Sequence, residues 1–160
     1  MKSAIYMLIL INVAVYADRA RKDICGGKKQ YQFINETKTY ADAELYCQQQ
    51  WRNANGHLGS ILNKEENKHI LDSVNITIRN NFPYVWIGAV RLMESKTFIW
   101  IDGCTSNYSN WRSGQPDNIN KHGTEACAEM YTVKDTETTY PGQWNDNFCG
   151  HKRAFICQHF

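Results

Sequence analysis

The chain has no surplus of charge. Its 160 residues carry 18 Lys and Arg against 16 Asp and Glu, a formal +2. Nucleic-acid and anionic-membrane binders normally present a strongly basic face, so a general electrostatic attraction of that kind is excluded and partners must be chosen at a local site. Long apolar runs are also missing. The longest, Ala4 to Val15, has Asn12 inside it and falls short of the roughly 20 residues that a membrane-spanning helix needs. None of the six cysteines forms a C-x-x-C pair, and the five histidines, at 57, 69, 122, 151 and 159, include no i,i+4 pair. A zinc centre built on such spacings is therefore unsupported. Catalytic signatures are absent too. Leu58-Gly59-Ser60-Ile61 lacks the G-x-S-x-G spacing of a nucleophile elbow, and no nucleophile stands out with a base and an acid to activate it. The chain does not read as an enzyme.

What is present begins with an address. Lys2 precedes the apolar run, which ends in Val15-Tyr16-Ala17, the kind of residues a signal peptidase reads. Residues 1–17 are expected to be a secretory signal peptide, 18–29 a short basic arm carrying Arg19, Arg21 and Lys22, and 30–160 one domain with its own core. The cysteines at 25, 47, 104, 127, 149 and 157 are even in number, as befits disulfide staples in an extracellular chain. N-x-[ST] sequons at Asn35, Asn75 and Asn107 are glycosylation candidates.

The periodicity changes character along the chain. Thr39 with Asp42 opens a helix whose apolar face is Ala43, Tyr46, Cys47 and Trp51. Asn63 with Glu66 opens a second carrying Ile70, Leu71 and Val74, which ends before Asn80-Asn81-Phe82-Pro83. Beyond Pro83 the segments 84–90, 97–101, 126–133 and 154–158 are short and rich in β-branched, aromatic and other apolar residues, as strands are. The class is α+β with the helices gathered in the N-terminal half. Between Gly103 and Glu125 runs a polar stretch without periodicity, and so long a loop in a compact domain usually carries function.

That loop holds an oxygen-rich corner. Gln115-Pro116-Asp117 sets an amide and an acid either side of a proline, and a cis bond there would aim both at one point. Glu125 and the Trp144-Asn145-Asp146 triplet add two acids and an amide. Calcium takes about six to eight oxygen ligands, which Gln115, Asp117, Glu125, Asn145 and Asp146 with the Asp146 carbonyl would nearly supply.

Trp86-Ile87-Gly88, Gln115-Pro116-Asp117, Glu125-Ala126-Cys127, Trp144-Asn145-Asp146 and Cys157 follow the order seen in C-type lectin domains, and the resemblance spans about Gln30 to Gln158. It implies a C-type lectin fold: two helices packed on short antiparallel sheets, with a long calcium-binding loop. It further implies disulfides Cys47–Cys157 and Cys127–Cys149, and Trp86, Trp100, Trp111 and Trp144 as core aromatics. In such lectins adjacent sugar hydroxyls become calcium ligands, each hydroxyl donating to a carboxylate ligand and accepting from an amide ligand. The Gln-Pro-Asp order resembles the galactose-type loop, whereas Glu-Pro-Asn accompanies mannose. The expected function is a secreted, calcium-dependent lectin for galactose or N-acetylgalactosamine glycans. The alternative is the same scaffold bound to a protein, ice or a mineral.

Three departures qualify the resemblance. Ile119 stands where galactose-type relatives often place an aromatic, with His122 as another contact for the sugar. Arg91, Ser95 and Ala126 fall where an auxiliary calcium site uses acids, so one calcium is expected. Cys25 and Cys104 are left over. An interchain bond at Cys104, giving a disulfide-linked homodimer like that of the galactose-binding lectins of snake venoms, is the favoured reading, and an internal Cys25–Cys104 bond is the alternative.

Overall fold

The computed structural model describes residues 7, 15, 25–74, 79–93, 95–119 and 123–160. The sequon at Asn75, the contact expected of His122, nearly all of the signal segment 1–17 and residues 18–24 of the arm lie outside the described residues. The element order is β1 (Gln30–Lys38), α1 (Tyr40–Gln50), β2 (His57–Leu58), α2 (Lys64–Ser73), β3 (Tyr84–Arg91), β4 (Phe98–Trp100), β5 (Glu125–Tyr131), β6 (Trp144–Phe148) and β7 (Arg153–His159).

Both helices start where the sequence caps them. The Thr39 hydroxyl accepts the Asp42 N–H and donates to the Asp42 carboxylate at 2.6 Å, and the Asn63 side chain accepts the Glu66 N–H at 2.8 Å. Each of the two accepted N–H groups is one of the amide donors left over at a helix start. α1 buries Ala43 and Cys47, and α2 buries Ile70.

The strands are short and mostly antiparallel, as expected, and they join in one seven-stranded mixed sheet. Its order is β1-β7-β3-β5-β6, with β2 added to β7 and β4 to β3. The mixed character comes from β3 and β7, which run parallel with Val85 opposite Ala154 and Trp86 opposite Phe155. β1 pairs antiparallel with β7 from Gln30 opposite His159 to Ile34 opposite Phe155, so the first strand closes against the last. Trp86-Ile87-Gly88 lies at the middle of this arrangement. Trp86 is fully buried and its indole N–H donates to the Lys38 carbonyl at 3.1 Å. Gly88 passes so close to β2 that a Cβ there would overlap the Leu58 carbonyl. Only glycine allows that approach.

The core falls into two clusters. One, with Tyr40, Ala43, Leu58, Trp86 and Phe155, lies under α1; the other gathers Ile61, Ile70, Val85, Ile87, Trp100, Met130 and Trp144. Trp144 joins this second cluster to the long polar loop. Trp100 and Trp111 meet it edge-on at centroid distances of 5.5 and 5.7 Å, and its indole N–H donates to Asn67 Oδ1 at 2.8 Å. Its own N–H donates to the Asn110 carbonyl and its carbonyl accepts the Arg112 N–H, which pins the loop to β6.

Three disulfides complete the frame. Cys47–Cys157 ties α1 to β7, and Cys127–Cys149 ties β5 to the turn after β6. The third corrects the sequence reading: Cys104 is bonded internally to Cys25, and no cysteine is free. With all six thiols consumed in internal pairs, the expected interchain bond, and the disulfide-linked homodimer built on it, have no sulfur to use.

Candidate metal and ligand site

The carboxylates of Asp117, Glu125 and Asp146 each present an oxygen within 4.8 Å of the others. Three backbone features meet at this point. The Gln115–Pro116 bond is cis, Glu125 opens β5 just before an irregularity in its pairing with β6, and Asp146 lies opposite Ala128 in the same ladder. Asp117 is exposed, whereas Glu125 and Asp146 are buried at 5% and 1% exposure.

Hydrogen bonds fix this geometry. The Gln115 amide donates to Asp117 Oδ2 at 3.1 Å while its oxygen accepts the Asp117 N–H at 3.0 Å. The Asp146 carboxylate accepts the N–H groups of Asp117 and Asn118 at 3.1 and 2.9 Å. The Ile119 N–H donates to Asp117 Oδ1 at 2.9 Å. Ile119 itself is 78% exposed, an open apolar side chain at the edge of the corner. Burial raises the Asp146 pKa above the ordinary carboxylate value, the two backbone N–H bonds oppose that rise, and the charge of Asp117 adds to it. Among the described residues no lysine or arginine reaches Asp117 or Asp146 at ion-pair distance.

The five expected ligand residues do not stand alike. Gln115, Asp117, Glu125 and Asp146 are brought together. Asn145 is adjacent, but its amide N–H donates to the Asp146 carbonyl at 2.7 Å and to Glu129 Oε1 at 3.1 Å, so the carbonyl expected as a further ligand accepts a hydrogen bond here.

Two supporting residues escaped the sequence reading. Asn118 sits at φ 58°, and its side-chain oxygen accepts both the Glu125 N–H at 3.0 Å and the Arg91 guanidinium at 2.8 Å. An Asn tolerates the left-handed region better than most residues, which was the available signal. Glu129, 1% exposed, accepts from Asn145, Asn147 and Arg153, the last at 2.8 Å. Buried charge of this kind persists only when it is paired.

Fold and corner together define a class, an α+β domain that displays a carboxylate-rich loop braced by its own sheet. Residues 36–159 match the Lectin C-type domain family, and the chain belongs to it. A lectin of Pleurodeles waltl is 35% identical over 84% of this chain and 72% of its own length. The alpha-N-acetylgalactosamine-specific lectin of Patiria pectinifera is 33% identical over 80% of this chain and 72% of its own. Among solved structures, the carbohydrate-recognition domain of the mouse scavenger receptor C-type lectin superposes with TM-score 0.65 at 32% identity, covering 81% of this chain and 88% of that one. A calcium-independent type II antifreeze protein does so with TM-score 0.64 at 26% identity, over 82% and 86%. The family generally binds Ca²⁺, and the acid cluster stands where an ion could be held. No described helix is long and apolar enough to cross a membrane.

Proposed function

We propose that the chain is a secreted lectin that binds glycans ending in galactose or N-acetylgalactosamine, using one calcium ion at the Asp117 corner. The observation that carries this reading is the meeting of three carboxylates, two of them buried, with an amide already paired to one of the acids. Calcium fits the donor set, because a hard cation favours oxygen ligands and would offset the mutual repulsion of three acids. Gln115, Asp117, Glu125, Asn145 and Asp146 would hold it. Its bound form would supply open coordination positions for neutral sugar hydroxyls.

The protein's own part is the pattern of donors and acceptors around that point. Gln115 and Asp117 are joined amide to acid at 3.1 Å. A hydroxyl placed between them finds one donor and one acceptor side by side, which is what a group with one proton and free lone pairs needs. The amide-first, acid-second order supports galactose over mannose, and the N-acetylgalactosamine-specific relative supports it independently. The signal segment 1–17 and the disulfides support secretion, with Asn35 and Asn107 as exposed sequon positions open to glycosylation.

A second reading draws on the calcium-independent antifreeze neighbour: the same scaffold bound to ice, mineral or protein without sugar. The converging acids favour the lectin. A glycan array probed with and without EDTA separates the two. Galactosyl glycans bound only in calcium support the lectin, and an array blank in both conditions supports the alternative.

A further inference from the structure

We propose that the cleft between the β3–β4 hairpin and the Pro116 loop is an anion subsite, one that takes a sulfate or carboxylate carried by the galactosyl glycan held at the Asp117 corner. The inference rests on the lectin reading above and adds the chemical class of glycan. The cleft has a volume of about 250 Å³ and is continuous with the corner, since Asp117 and Asp146 line both. Its other walls carry two cations, Arg91 and Lys96, and two apolar surfaces, Phe98 and Pro116.

Both cations line the cleft without a carboxylate partner at ion-pair distance among the described residues. Arg91 is held in position by one bond from its guanidinium to Asn118 Oδ1 at 2.8 Å. A guanidinium has five N–H donors, so one anchoring bond leaves a fork for an oxyanion. Lys96 is exposed. Neither cation forms an ion pair with a described residue, whereas Lys29, Lys38, Lys68 and Arg153 all have carboxylate partners.

Charge arithmetic then ties the subsite to the metal. Among the described residues, the cleft and the adjoining corner together hold three carboxylates and two cations, a sum of −1, which disfavours an anion. A divalent ion turns the sum to +1, which attracts one. The subsite is therefore expected to act only in calcium, together with the sugar site and not independently of it.

The test uses the full mature chain and calorimetry with methyl galactoside, its 3-O- and 6-O-sulfates, and a sialylated galactoside, in calcium. At about 50 mM salt at least one anionic galactoside should bind about fivefold more tightly than the neutral one, and the margin should shrink toward parity at about 0.5 M as screening sets in. Lys96→Ala should remove the margin and leave affinity for the neutral galactoside unchanged. A gain with sulfate alone or with the sialoside alone identifies which anion the cleft takes. Equal affinity for neutral and anionic galactosides overturns the subsite and leaves the lectin reading standing, as does a margin that survives Lys96→Ala. Failure of every galactoside to bind in calcium overturns the lectin reading, and the subsite with it.

Discussion

At the scale of single residues, the proposed function turns on charges that the fold places close together. Asp146 is the most buried of the three acids and is held by two backbone N–H groups. Asp146→Asn keeps the shape and removes the charge, so calcium affinity should fall by more than about tenfold, the lower end of what loss of even an outer partner does to a metal site. A calcium titration of both proteins reads this, with one ion per chain expected for the parent. A second prediction concerns His57, whose Nδ1 lies 2.6 Å from Glu44 Oε1 while Glu44 Oε2 accepts the Leu58 N–H. The bond to Glu44 raises the His57 pKa, with burial opposing. A pKa raised on folding means stability that is complete below the unfolded value near 6.5 and is lost as pH rises through the folded value. Thermal melts should therefore show this contribution fade above about pH 6.5, and His57→Gln should flatten that segment of the profile. The acids of the corner were legible in the sequence because four short motifs occur in register. The Asn118 bridge was not, because a residue whose work is to accept two hydrogen bonds from distant groups leaves no local pattern.

At the scale of elements, legibility followed local chemistry. α1 and α2 announce themselves through Thr39 and Asn63, because a cap is a contact between residues three apart. Thr39→Ala removes such a contact and should lower stability by about 1 kcal/mol in denaturant unfolding, with the sheet unchanged. β6 was missed for the opposite reason. Trp144-Asn145-Asp146-Asn147-Phe148 reads as a loop by composition, yet Asp146 and Asn147 are buried against β5, the first in the acid cluster and the second bonded to Glu129. β1 was missed as well, since its Tyr31 and Phe33 alternate with residues exposed at the sheet edge. The parallel pairing of β3 with β7 depends on contacts some seventy residues apart in the chain, which no window of sequence reports.

At the scale of the whole molecule, two of three disulfides follow the pairing that the family resemblance implies, and the third had two readings between which composition could not choose. The internal Cys25–Cys104 bond closes a loop of 79 residues and secures the segment before β1. Replacing both cysteines by serine should lower stability by about 2 to 4 kcal/mol. On a non-reducing gel the parent should run at monomer mass, and the double variant should run beside it. A band at twice that mass, abolished by Cys104→Ser, would contradict the internal bond.

The claim on which the function depends is that Gln115 and Asp117 read the sugar around a calcium ion, and retention on immobilised galactose tests it most directly. The protein should be retained in calcium and released by EDTA, and should pass a mannose column with little delay. Loss of a hydrogen bond to a charged group amounts to about 1.5 to 3 kcal/mol, more than an aliphatic contact at Ile119 forfeits, so Gln115→Glu combined with Asp117→Asn should move retention to mannose. Retention on galactose that persists unchanged in EDTA, or a parent protein held by mannose and not by galactose, would contradict the account.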